Sequence, residues 1–286
     1  MKSMVRKVLA GGLVLLGVVC GSVIAWFMIN ESSLVFPGQA RTDTTFPPRD
    51  AAEFPWDSLR VRAEDGTLTF LVESRLPENV GGRWVIFFHG NGMLVSDSGG
   101  RYEWLREAGF NILAVELRGY GASASAGPAE EQGTYQDARA AWTYLTETVG
   151  VSSDSIVVYG FSLGSGLATH IAAHADVAGI ITEGAFTSAL DVAVLRYPWL
   201  PIRWFMKTRF ANLQRADSIS EPWLIFHGLD DRVVPFSHAE TLAGAAPDAW
   251  VIPLEAGHND GVIGQRAVSI KALQEFSTHV FGDAGR

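Results

Sequence analysis

The sequence predicts an α/β protein, a mostly parallel sheet of eight strands with helices on both faces. Two observations carry this. From residue 58 onward, short strand-like runs alternate with helix-length segments, the pattern of a parallel sheet with right-handed crossovers. Several runs, such as Val85-Ile86-Phe87-Phe88, are apolar from end to end, as a strand must be when both of its faces are covered.

The first element lies ahead of that pattern. Val8 to Ile29 is 22 residues without a charge, about 33 Å as a helix and long enough to span a bilayer. Lys2, Arg6 and Lys7 precede it, so the positive-inside rule places the N-terminus in the cytoplasm and everything after Asn30 on the other side. A secreted form is the alternative, because Val23-Ile24-Ala25 is a tolerable signal-cleavage site, but the apolar run is longer than a signal peptide needs and continues past it. Residues 31–57, with four prolines and no periodicity, read as a linker.

Residues 58–286 read as one domain. Strands are expected over 59–63, 68–73, 84–89, 112–117, 155–159, 179–182, 223–227 and 250–254. The tight Glu64-Asp65-Gly66 turn makes the first two an antiparallel hairpin at one edge of the sheet. Helices are expected over 102–108, 134–148, 162–173, 238–245 and 267–281. The stretch 186–220 is too long for a loop and reads as a small helical cap. Its aromatics, Tyr197, Trp199, Trp204, Phe205 and Phe210, offer an apolar surface to whatever lies beneath.

Charge excludes one class of partner. Beyond the first thirty residues, 19 basic side chains face 31 acidic ones, a balance that repels a phosphate backbone, so no nucleic acid is expected. The single cysteine, Cys20, cannot form an internal disulfide, and no Cys/His cluster has metal-site spacing. Neither metal nor organic cofactor is expected.

Chemistry enters at Gly160-Phe161-Ser162-Leu163-Gly164, between an apolar strand and an amphipathic helix. A serine on so sharp a strand-to-helix turn is exposed for attack and needs neighbours without bulk. Its hydroxyl is protonated near neutral pH, so it requires a base within reach and a carboxylate to hold that base's tautomer. Of seven histidines, His258 alone sits in a loop after the last strand. His89 and His227 end apolar strands and read as structural, while His170 and His174 follow the serine on its helix. For the acid, Asp230 and Asp231 both follow the penultimate strand and are equivalent by position, and Glu183 is a third candidate.

The order Ser162, Asp231, His258, with His89-Gly90-Asn91-Gly92 upstream and Arg118-Gly119-Tyr120-Gly121 after the next strand, resembles the serine-hydrolase branch of the alpha/beta-hydrolase superfamily over residues 58–281. Within it, the chain is similar to small membrane-anchored members with a short cap, a group that includes protein depalmitoylases and lysophospholipid lipases. The family pattern Gly-x-x-Asp-x-x-Val-Pro falls on Gly228, Asp231, Val234 and Pro235 and so favours Asp231 over Asp230. The resemblance also implies an oxyanion hole from the backbone N–H groups of Leu163 and Asn91. The expected activity is hydrolysis of an ester or thioester, on acyl or lipid-like substrates, through an acyl-enzyme. An amidase or peptidase with the same triad, or a silent hydrolase fold serving as a membrane-bound interaction protein, are the alternatives.

Overall fold

The computed structural model describes residues 2–41, 55–77 and 82–282. Eight strands form one sheet in the order β1-β2-β4-β3-β5-β6-β7-β8. They are β1 Asp57–Arg62, β2 Leu68–Ser74, β3 Trp84–Phe88, β4 Asn111–Glu116, β5 Ile156–Phe161, β6 Gly179–Glu183, β7 Trp223–Gly228 and β8 Ala249–Leu254. The hairpin β1–β2 is antiparallel and β2 runs antiparallel to β4, while all later pairs are parallel.

Side chains alternate across each strand, and here both sides are covered. Ile86, Leu113, Val158, Ile180 and Ile225 point to one core, closed by α3 (Glu131–Thr143), α4 (Gly164–Ala172) and α7 (Ser237–Ala245). Val85, Phe87, Ile112, Tyr159, Leu224 and Phe226 point to the other, closed by α2 (Gly99–Glu107) and α9 (Arg266–Phe281). Two faces of burial are the reason these strands read as unbroken apolar runs.

The cap is α5 (Ala189–Arg196), a 3-10 turn at Ile202–Trp204 and α6 (Asn212–Ala216). A short α8 (Gly261–Gly264) follows β8.

The N-terminal helix α1 (Lys2–Val35) is long and apolar enough to cross a bilayer, and its most apolar stretch, of mean hydropathy 2.5, has no part buried in protein. It runs past the expected boundary at Asn30 because its last turns are docked. The buried Glu31 carboxylate accepts the backbone N–H groups of Lys207 (2.9 Å) and Thr208 (2.7 Å), and the Ser32 hydroxyl donates to the Ala129 carbonyl (2.9 Å). Polar residues that read as a helix end are tertiary ligands. The chain then turns through Pro37–Ala40, and the central part of the expected linker, 42–54, lies outside the described residues.

The beginning of α3 is used in the same way. The Glu131 carboxylate accepts the N–H groups of Arg209 (2.6 Å) and Phe210 (2.8 Å), so the helix starts three residues ahead of its expected position at Thr134. Four successive amides of the cap, at residues 207 to 210, are thus taken up by two glutamates, one from α1 and one from the hydrolase domain.

Candidate active site

The carboxyl ends of β5, β6, β7 and β8 lie side by side, with Phe161, Glu183 and Phe226 in register. The loops that follow carry Ser162, Gly184, Asp231 and His258, so adjacent strands deliver to one edge residues that are far apart in sequence.

Ser162 occupies the turn between β5 and α4 with φ +49°, a left-handed conformation that costs an L-residue about 1–2 kcal/mol. Its flanking glycines are required by the approach of strand and helix. A Cβ on Gly160 would stand 2.3 Å from the Gly164 carbonyl oxygen, and one on Gly164 would stand 2.2 Å from that of Phe88. The Ser162 N–H donates to the Glu183 carbonyl (2.8 Å), tying the turn to β6.

Ser162 Oγ lies 2.8 Å from His258 Nε2, and His258 Nδ1 lies 2.5 Å from Asp231 Oδ2. A carboxylate only accepts, so Nδ1 carries the proton and Nε2 is left to accept from the serine hydroxyl. The other Asp231 oxygen, Oδ1, accepts the N–H groups of Val233 and Val234, both at 2.8 Å. Burial pushes the Asp231 carboxyl up, but the bond to His258, the electrostatic pull of that ring and the two backbone donors outweigh this and hold it below the usual carboxylate range. His227 packs on the same carboxylate, with Nε2 2.8 Å from the Val234 carbonyl oxygen and 3.4 Å from Asp231 Oδ2. Burial pushes this imidazole below its usual range, outweighing the Val234 carbonyl and the Asp231 carboxylate, which act the other way. Asp230 is exposed and contributes its N–H to the Ala256 carbonyl (3.1 Å).

Glu183, the third acid candidate, is engaged elsewhere. Its carboxylate receives Arg101 Nε (2.7 Å), the Tyr159 hydroxyl (2.6 Å) and the Val262 N–H (3.2 Å). The same guanidinium donates to the Asn259 carbonyl (3.1 Å) and lies over the Phe161 ring. Arg101 therefore braces the residues on either side of the Ser162–His258 pair, a role no sequence motif marked. Gly184 was also missed. At φ +60°, a Cβ there would come 2.9 Å from His258 Cε1, so this position must stay bare for the imidazole to seat.

Asn91 and Leu163, the expected oxyanion donors, line the same cavity as Ser162 and His258. Both peptide units flanking the Asn91 Cα are held by their oxygens. The Gly90 carbonyl, which belongs to the unit carrying the Asn91 N–H, accepts from His89 Nδ1 (2.8 Å). The Asn91 carbonyl accepts from the Tyr120 hydroxyl (2.8 Å) and the Gly38 N–H (3.1 Å). His89 and the Arg118-to-Gly121 loop are thus structural groups that serve this turn. Gly38 comes from the stretch after α1, where a Cβ would stand 2.1 Å from the Tyr120 ring.

The cavity over Ser162 has a volume of about 890 Å³. Its apolar wall comes from Val192, Ala193 and Tyr197 of the cap and from Phe27, Leu34 and Val35 of α1. Of the five cap aromatics expected above the serine, only Tyr197 lines it. Phe210 is fully buried against Phe36 and Tyr135, Phe205 packs on Phe27, and Trp199 and Trp204 face outward, 70% and 88% exposed. The length and aromatic content that mark a cap do not say which of its faces turns inward; the docking of α1 decides it.

Comparison with known proteins agrees with the fold. A family model described as the alpha/beta hydrolase fold matches residues 83–214. An uncharacterised protein of Mycobacterium tuberculosis is 33% identical over 176 residues, 61% of this chain and 62% of that one. Human alpha/beta hydrolase domain-containing protein 17B is 31% identical over 181 residues, 62% of this chain and 60% of that one. The match thus spans about three fifths of the length of these curated relatives. Among solved structures, the Pyrococcus furiosus esterase Pf2001 superimposes with a TM-score of 0.69 at 19% identity, covering 85% of this chain and 96% of that one. With an eight-stranded, mostly parallel sheet and a serine turn after its fifth strand, the chain belongs to the alpha/beta-hydrolase superfamily.

Proposed function

We propose that this chain is a serine hydrolase that cleaves carboxylic esters or thioesters through an acyl-enzyme. The observation that carries this reading is the unbroken line of hydrogen bonds from Ser162 Oγ through His258 to Asp231. His258 Nε2 takes the hydroxyl proton as Oγ attacks the carbonyl carbon, and Asp231 stabilises the imidazolium that forms. The Leu163 and Asn91 N–H groups stabilise the negative oxygen of the tetrahedral intermediate, a donor of this kind being worth ~3 kcal/mol. His258 then returns the proton to the leaving oxygen or sulfur, and a water activated by the same imidazole releases the acid.

An acyl or lipid-like substrate fits the apolar wall of the cavity. We read α1 as a membrane-spanning anchor with its N-terminus in the cytoplasm and the catalytic domain on the other side. On that reading, a substrate drawn from the bilayer reaches Ser162 along residues of the anchor itself.

The decisive experiment is labelling with a fluorophosphonate, which modifies only an activated serine. Wild-type protein should label, and Ser162→Ala should lose both labelling and ester hydrolysis while melting within a degree or two of wild type. A labelled Ser162→Ala protein would assign the nucleophile elsewhere.

A further inference from the structure

The cap differs in charge from the rest of the molecule. Residues 186–220 hold five basic side chains (Arg196, Arg203, Lys207, Arg209, Arg215) and two acidic ones, whereas the remaining chain holds 17 basic and 29 acidic. Within the cap, residues 195–207 are two-sided. Ile202 and Met206 are buried, and with Tyr197 and Phe205 they pack around Phe27 of α1. Leu195, Arg196, Trp199, Arg203, Trp204 and Lys207 are exposed.

Phe27 fixes where that segment stands. It lies two residues before the end of the uncharged run closing at Ile29, so in a spanning helix it sits at the boundary between hydrocarbon and head groups. Whatever packs around Phe27 is held at that boundary too, and the bonds from Lys207 and Thr208 to Glu31 keep it there. In water, two indoles at 70% and 88% exposure are apolar surface left unburied. At a lipid interface they are in the environment indole prefers, and neighbouring guanidinium and ammonium groups reach lipid phosphates.

We infer that residues 195–207 are a second membrane contact, with Trp199 and Trp204 seated in the head-group layer of the bilayer that α1 crosses and Arg196, Arg203 and Lys207 facing its anionic phosphates. The inference rests on α1 being a spanning helix and is independent of catalysis. It sets the cavity, walled by Phe27, Leu34 and Tyr197, with its α1 side against the lipid.

The test uses the full chain in vesicles of phosphatidylcholine and phosphatidylglycerol containing nitroxide-labelled lipid, with an environment-sensitive fluorophore on one cysteine at a time. The native Cys20, within the apolar run, reports α1. Trp204→Cys in a Cys20→Ser background reports the cap. Asp154→Cys in the same background, exposed in the turn that precedes β5 and so at the opposite end of that strand from Ser162, reports a site away from the cap. The expected result is deep quenching at 20, shallow quenching with a blue shift at 204 that grows with the phosphatidylglycerol fraction, and none at 154. Quenching at 20 with position 204 as unquenched as 154 overturns the cap contact and leaves the anchor standing. No quenching at 20 removes the anchor and this proposal with it.

Discussion

Asp231 and Asp230 share a loop and a chemistry, and only geometry separates them. One accepts from His258 and from two backbone N–H groups, while the other is exposed. Asp231→Asn should leave the imidazole in the wrong tautomer and cost on the order of 10⁴ in turnover, the scale of the equivalent change in a serine protease. Asp230→Asn should stay near wild type; esterase turnover of the two purified variants is the check. A second residue-scale prediction concerns His170, stacked on Tyr135 at 3.9 Å. Burial, with His174, Arg215 and Arg139 around it, lowers this imidazole from 6.5 to about 3. Between those values the unfolded chain binds a proton that the folded chain refuses, so stability falls as pH drops from 6.5 towards 3 and none of this loss is present above 6.5. His170→Gln should therefore flatten that limb of a plot of Tm against pH. At this scale the sequence was most legible where one residue type has one use. The serine turn could be read from its glycines, whereas position left Asp230 and Asp231 equivalent and only the resemblance to the family pattern at Gly228, Val234 and Pro235 favoured Asp231. The brace formed by Arg101 and Glu183 and the bare position at Gly184 depend on which loops meet in space, and spacing along the chain does not encode that.

All eight strands fall within two residues of their expected positions; burial on both faces makes β3 to β7 apolar runs with polar ends, while the exposed β1 was legible from its turn to β2. The order of β3 and β4 was not legible, since it depends on a crossover rather than on the composition of either strand. The cap was legible as an element but not in its orientation. A test of the acyl reading therefore belongs on α5 rather than on the outward tryptophans. Val192 lines the cavity, and Val192→Trp should fill part of it. In wild type, each methylene buried can add up to about 0.8 kcal/mol, roughly fourfold in kcat/KM if fully expressed in the transition state. The efficiency on p-nitrophenyl esters should thus climb from acetyl towards octanoyl, and Val192→Trp should cut the climb short while sparing acetyl. A wild-type enzyme that prefers acetyl would remove the acyl pocket from the proposal.

Across the whole molecule, α1 and the hydrolase domain share a core and a site wall, where the sequence suggested a helix, a linker and a separate domain. Polar residues at 31 to 33 hid this, because a helix end and a docking site have the same composition. Glu31→Gln removes the charge from an acceptor that receives two backbone N–H groups while keeping its size, so a loss of about 1–3 kcal/mol is expected. Thermal unfolding of the detergent-solubilised protein would measure it, with the solvent-facing Glu240→Gln as the neutral comparison. The pairing of four successive amides with Glu31 on one side and Glu131 on the other has a further effect. A hydrolase on a slack tether can tip and rotate, presenting its serine at any height above the lipid. Here the joint between α1 and the cap is clasped from both sides, a stiff mount that would hold Ser162 at one altitude. If α1 spans the bilayer, a scissile carbonyl must be offered at that altitude, and two substrates of identical acyl chain will be distinguished by how far their head groups lift the bond out of the membrane.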